Sequence, residues 1–154
     1  MTDIDNISEE VELLAPVPAC ILSTAVETLR EESGVLFGSA AFLVFHELDV
    51  LRKEKYARVW IYASQEGSAP IVTWKGIYSR FVSSSDPSLR SMKNMRPENT
   101  RDEKGWAVFW KLISLEKLSP DAQFPITELF GIGRRTSFKY NFYPKGPTLI
   151  KPRF

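Results

Sequence analysis

Arg58-Val-Trp-Ile-Tyr-Ala63, Gln65-Glu-Gly-Ser-Ala-Pro70 and Ile71-Val-Thr-Trp-Lys-Gly-Ile-Tyr-Ser-Arg-Phe-Val82 together decide the fold class. The first run is β-branched and aromatic, which suits a pleated and half-buried surface. The second gathers Gly, Ser and Pro, residues that break regular structure. The third is long enough to return antiparallel and close a hairpin. Gly76 interrupts it, which predicts a bulge or bend that curls the sheet. With a period of two, Trp60 and Tyr62 share one face of the first strand, and Trp74 and Tyr78 share a face of the second.

Downstream of the hairpin, residues 83–105 read as a long excursion of serines, prolines and mixed charge, and such loops in a compact domain are often functional. Trp106 to Leu115 predicts another strand with Trp106 and Trp110 on one face, and Phe124 to Phe130 predicts a helical turn. Thr136 to Tyr143 alternates, with Phe138, Tyr140 and Phe142 on one side, and predicts a last strand.

Upstream, Ala40 to Leu51 fits a short buried helix capped by Ser39, the favoured reading, while Phe42 to Phe45 also fit a strand; Arg52 to Lys55 predict a solvated turn. Gly34 to Ser39 reads as a two-glycine loop. Thr24-Ala-Val-Glu27 has the form of a capping box opening a helix that ends near residue 33. Ala19 to Leu22 reads as a short buried strand. Residues 1–17 are polar and acidic and read as a partly mobile lead-in to a single domain over 18–154. The sum is an α+β fold: a curved, mainly antiparallel sheet or small barrel with a few short flanking helices.

Composition narrows the chemistry. With 44% hydrophobic and 25% charged residues the chain is a globular protein of one-domain length. One cysteine, Cys20, excludes an internal disulfide, and its apolar neighbours favour a buried, inert thiol. One histidine, His46, beside that cysteine leaves no zinc ligand set, so neither a metal nor a cofactor is expected. The acidic opening Met-Thr-Asp-Ile-Asp is the wrong character for a secretory or transit signal. No apolar run reaches the ~18 residues that span a bilayer. A cytoplasmic protein without a membrane partner is therefore the expectation.

Charge is unevenly laid out. Residues 1–32 sum to −7 and the remainder to +8, although the whole chain is only +1. From Arg134 onward there are six basic residues and no acidic one. That polarity suits an anionic partner for the carboxyl-terminal part; pairing of the two faces within the fold or between subunits is the other reading.

Catalytic signals are weak. The chain has no nucleophile elbow, no Walker loop and no dinucleotide-binding fingerprint, and Gly131-Ile-Gly133-Arg134-Arg135 reads as a turn. His46, among Val44, Phe45 and Leu48, reads as a packed residue because no positioned nucleophile accompanies it. Asp102 and Glu103 stand in a charge run that reads as solvated surface. The aromatic rings are mostly core, but one or two at the mouth of a small barrel would sandwich a base. Arg90, Lys93 and Arg96 in the excursion, with Arg134 and Arg135, are the candidates to hold a phosphate backbone.

Val59-Trp-Ile-Tyr-Ala-Ser64, a loop, and Ile71-Val-Thr-Trp-Lys-Gly-Ile-Tyr78 resemble the strand–loop–strand hairpin of PUA-like domains of the EVE and ASCH type. Gly34-Val35 before the hairpin, Asp86-Pro87 after it, then the Trp106 strand and Ser-Leu-Glu-Lys-Leu, extend the resemblance in order over about residues 18–143. It implies a pseudobarrel with a pocket, in a superfamily with RNA-binding and modified-base-binding members. By resemblance Gly34 and Val35 line the pocket's entrance, Tyr62 and Ser64 its floor, and Trp106 the strand opposite. EVE domains commonly follow Gly-Val with polar residues including Arg or Asn, where this chain has Leu36, Phe37, Gly38 and Ser39; Phe37 and Ser39 are carried as pocket residues, and Ser39, Tyr62 and Ser64 would bond a base edge. The implied partner is nucleic acid, RNA or modified DNA. The resemblance also brings in a small amidohydrolase or nuclease as an alternative. Thr24 and Glu27 match that chemistry in kind, but no lysine precedes residue 53. A protein-interaction or assembly module, docked through the acidic lead-in, is the third alternative.

Overall fold

The structure is a computed structural model, and it describes residues 6–63, 70–139, 142 and 144–153. It is an α+β fold built as β1 (Glu12–Val17), α1 (Ala19–Glu31), β2 (Val35–Ser39), α2 (Phe42–Arg52), β3 (Ala57–Ala63), β4 (Ile71–Ser83), β5 (Val108–Lys117), β6 (Phe124–Pro125) and β7 (Thr148–Ile150). The seven strands form one mixed sheet in the order β2-β5-β4-β3-β1-β7, with β6 beside β4. Among the described residues only β1 and β3 pair as a parallel ladder, and the other ladders are antiparallel. The path is open: among the described residues no ladder joins β2 to β7.

The hairpin that dominates the sequence is the centre of the sheet, with Ala57 opposite Tyr78 and Ile61 opposite Trp74. The irregularity expected at Gly76 falls one to four residues later, in register shifts around Tyr78 against β5. Gly76 itself is needed for close approach, because a Cβ there would lie 2.7 Å from the Ser114 carbonyl oxygen.

Alternation divides the interior in two. Leu13, Ala15 and Val17 of β1 and Val59 and Ile61 of β3 face a core completed by Leu22 and Ala25 of α1 and Phe45 and Leu48 of α2. Leu14, Trp60 and Tyr62 point the other way, into a second core with Phe124, Ile126, Leu129 and Ile150. β1 and β3 are thus buried on both faces, which is why their sequences are almost continuously apolar.

Several local expectations are overturned. Residues 12–17, expected in the mobile lead-in, are the strand β1, and Leu13, Leu14 and Ala15 have no exposed surface. The acidic neighbours hide this, because Glu12 is itself buried: its Oε1 accepts from Trp60 Nε1 at 2.8 Å and from the Arg153 amide at 2.9 Å, and Arg58 stands 3.7 Å from Oε2. Breaking a buried arrangement of this kind costs about 3–5 kcal/mol. Pro16 is tolerated because β7 covers β1 only over Glu12–Leu14, leaving Pro16 with a partner on one side.

Ala19 to Leu22, expected as a strand, opens α1; its short apolar run fits either state, and Leu22, Ala25 and Thr28 recur at the helical spacing of three. Thr24 lies inside that helix, so the capping box does not form. Cys20 is exposed on the first turn and is not a buried thiol. Gly34 to Ser39 is not a loop, since 35–39 pair with β5 as β2. Ala40 to Leu51 is helical from Phe42, but Ser39 does not cap it: the N-cap position is Ala41, without a side-chain cap bond, and Ser39 Oγ accepts from the Ala41 amide at 3.0 Å just outside the helix. Nor is the helix buried, since of its residues only Phe45 and Leu48 are, and Phe42, Leu43 and Val50 are exposed. Phe124 to Phe130 holds a two-residue strand and one 3-10 turn. The strand expected over Thr136 to Tyr143 does not form among its described residues. Ser137 makes a single bridge to Phe130, and Phe138 and Phe142 stack at 5.1 Å and 10°. Tyr140 lies outside the described residues.

Candidate functional site

The excursion between β4 and β5 is folded back on the domain and builds one wall of a cleft. Asp86 caps its start, its Oδ1 accepting from the Ser88 amide at 2.9 Å, and Pro87 to Met95 wind as 3-10 turns. Those bonds, chiefly the two from Ser88, hold the Asp86 carboxyl below its ordinary value. Asn99 bolts the excursion to α1: its Nδ2 donates to the Cys20 carbonyl at 3.2 Å, and its Oδ1 accepts from Thr24 Oγ1 at 2.9 Å. Thr24 thus has a structural use.

Between this wall, the start of α1, the end of β2 and the segment Lys145–Thr148 lies a cleft of about 780 Å³. That volume is in the ~300–1,000 Å³ range of small-ligand sites. Phe37 and Trp110, with ring centres 4.9 Å apart, form its floor and are almost fully buried. Trp106 is half-buried and lies flat against Gly38, where an added Cβ would sit 2.4 Å from its Cδ1. Its indole Nε1 donates to Glu103 Oε2 at 3.1 Å, which fixes the ring plane. Glycine at position 38 is therefore what lets an indole stand as a wall.

Arg96 closes the cleft on the excursion side. Its Nη2 donates to the carbonyl of Thr100 and to that of Glu103 at 2.9 Å, and its guanidinium lies 4.7 Å from the Phe109 ring centre. Burial pulls its pKa down from the ordinary value, against the attraction of Glu103 and Asp102. Among the described residues the buried Nε has no hydrogen-bond partner. The three hydroxyls of the cleft bond the backbone: Ser39 Oγ accepts from Ala41, Thr100 Oγ1 donates to the Pro97 carbonyl at 2.8 Å, and Thr148 Oγ1 donates to the Gly146 carbonyl at 3.1 Å. Among the described residues none of them is bonded to a carboxylate or imidazole, the partner an activated nucleophile needs. His46 is exposed on α2, edge-on to Phe42 and Phe81 at 4.3 and 5.0 Å, away from the residues of the cleft. It is a surface residue rather than a packed one.

Two further hollows adjoin the cleft. A groove of about 960 Å³ runs along the excursion and is lined by Arg90, Lys93, Arg96, Arg101 and Lys104, together with Asp86, Asp102 and Glu103. It shares Arg96 and Glu103 with the cleft. A third hollow of about 690 Å³ lies between α2 and the described residues 131–139, 142 and 147–149, with Arg134, Lys139, Phe138 and Phe142 on its walls. It shares Pro147 and Thr148 with the cleft.

Of the residues singled out for a pocket, Phe37, Ser39 and Trp106 converge on the cleft. Gly34, Val35 and Tyr62 do not. Gly34 packs beneath the Lys111 side chain, and Val35 is wholly buried in the helix-side core. Tyr62 sits in the second core with its hydroxyl donating to the Pro144 carbonyl at 2.9 Å, and burial pushes its pKa up to about 12. Ser64 lies outside the described residues. Of the basic candidates, Arg90, Lys93 and Arg96 share one groove, whereas Arg134 lines the third hollow and Arg135 is exposed beside it in sequence.

Glu103, Gly38, Thr100 and the Lys145–Thr148 wall had no signal of their own in the sequence. Glu103 was hidden in a charge run; its one clue is its place three residues before Trp106. Among the described residues no helix is long and apolar enough to cross a membrane. Compared with protein-family models, curated proteins and solved structures, the chain matches none of them.

Proposed function

We propose that this chain is a nucleic-acid-binding domain of PUA-like kind, which takes one nucleobase, modified or unmodified, into the cleft at Trp106 and lays the adjoining phosphates along the basic groove. The observation that carries the reading is the shared wall. Arg96 and Glu103 belong to both the aromatic cleft and the groove lined by Arg90 and Lys93, so a base and its own phosphate would reach the two at once. A flat indole set on glycine, with a carboxylate and a guanidinium at its edge, supplies stacking and edge hydrogen bonds together. The finer form of the fold, a sheet curling into a pseudobarrel, is part of the same reading. The register shifts in β3, β4 and β5 support it, because bulges are the usual means of curling a sheet.

A fluorescence titration with single-stranded oligonucleotides carrying ordinary and modified bases, at low and high salt, tests the proposal. Binding that weakens linearly in log–log salt is expected, and Trp106→Ala lowers affinity about 5- to 150-fold, the ~1–3 kcal/mol of one stacked base. No binding at low salt, where phosphate contacts are strongest, overturns it.

A further inference from the structure

The three hollows are not scattered. The groove meets the cleft at Arg96 and Glu103, and the cleft meets the third hollow at Pro147 and Thr148, so the three follow one another across the surface. Among the described residues lining them, eight are basic and four acidic, and each hollow has at least two of the basic ones. The third hollow adds a second aromatic station, the stacked Phe138–Phe142 pair; Phe142 is 39% exposed although it is one of the largest apolar side chains. Its walls also include Arg134 and Lys139.

We infer that the ligand is an extended single strand of nucleic acid that follows this line of hollows, with one base at Trp106 and a second against Phe142. The inference rests on the base-in-cleft reading and adds a second station to it. A basic path with spaced aromatic faces is the pattern that binds single strands, because the phosphates satisfy the charge and unstacked bases meet the rings. Paired duplex bases have no free face to offer either ring. An acidic peptide would match the charge but gives no reason for exposed aromatic stations along its path.

The test uses the whole chain and labelled single strands of one, three, six and nine nucleotides of one sequence, with the nine-nucleotide duplex and an oligoglutamate peptide alongside. Affinity is expected to rise at least to three nucleotides, one for each hollow, and the duplex and peptide to bind more weakly. Phe142→Ala lowers affinity for the longer strands about 5- to 150-fold and leaves the mononucleotide unchanged. Arg134→Gln and Lys139→Gln each reduce the salt slope of the longer strands by ~0.7 and leave that of the mononucleotide unchanged. Affinity that is flat from one nucleotide upward, or equal loss of the mononucleotide in Phe142→Ala, removes the track and leaves the cleft standing. Equal binding of the duplex or of oligoglutamate overturns the single-strand assignment. No binding of any length removes both readings.

Discussion

Gly38 shows how much one residue decides. Its missing side chain gives Trp106 a flat seat, and any Cβ there enters the indole at 2.4 Å. Gly38→Ala should displace the Trp106 ring, break its bond to Glu103, and weaken ligand binding as much as Trp106→Ala does. Tryptophan fluorescence should shift while the circular-dichroism spectrum stays. A Gly38→Ala protein that binds like the parent would show that the indole is not the stacking face. Tyr62 is the opposite case. Its hydroxyl fitted a pocket floor by resemblance, but its alternation with Ile61 sends it into the second core, where it donates a hydrogen bond to the Pro144 carbonyl. The alternation of Trp60 with Ile61 was readable; which of the two faces carried a cavity was not.

At the scale of elements, the excursion between β4 and β5 is the part that turns a sheet into a site. It contributes Arg96, Thr100, Glu103 and Trp106 to the cleft, yet its own turns hold no fully buried hydrophobic side chain. Its position depends on polar ties, chiefly Asn99 to Cys20 and Thr24 on α1. Asn99→Ala removes both bonds at an exposed site and should cost only about 1 kcal/mol of global stability. Hydrogen exchange should nevertheless quicken over residues 87–104, and affinity should fall. Unchanged exchange there would mean that the 3-10 turns hold their place without α1. The length and polarity of this segment marked it as functional in the sequence, but its docking on α1 is a contact between positions 75 residues apart, which no local pattern encodes.

At the scale of the molecule, stability should decline in alkali. Tyr62 and Tyr78 are neutral in the fold, with pKa values raised by burial above the ordinary 10.0. For Tyr78 the Asp49 carboxylate, 2.9 Å from its hydroxyl, raises it further against the opposing pull of Arg52. Above pH 10 the unfolded chain releases protons that the folded one keeps, so the unfolded state binds fewer and stability falls as pH rises. The contribution is whole below pH 10 and is lost for Tyr62 up to about 12, and for Tyr78 beyond that. Denaturation midpoints should hold steady to about pH 9.5 and drop above it. Tyr62→Phe should lower the neutral value by about 1 kcal/mol and make the alkaline decline shallower. An equally steep decline in Tyr62→Phe would remove Tyr62 from this account. The sequence by itself determined the central hairpin, the aromatic supply and the excess of basic residues toward the end of the chain, and it favoured helix over strand for α2. These follow from periodicity and composition, which act over neighbouring residues. Only the tertiary structure decided that residues 12–17 are a buried strand, that β2 lines the cleft, and that Arg96 and Arg134 serve different hollows. Each of those depends on which distant segment lies alongside: β3 and β7 for β1, β5 for β2, and α1 for the excursion. A run of residues states what it can bury, and its partners determine whether it does.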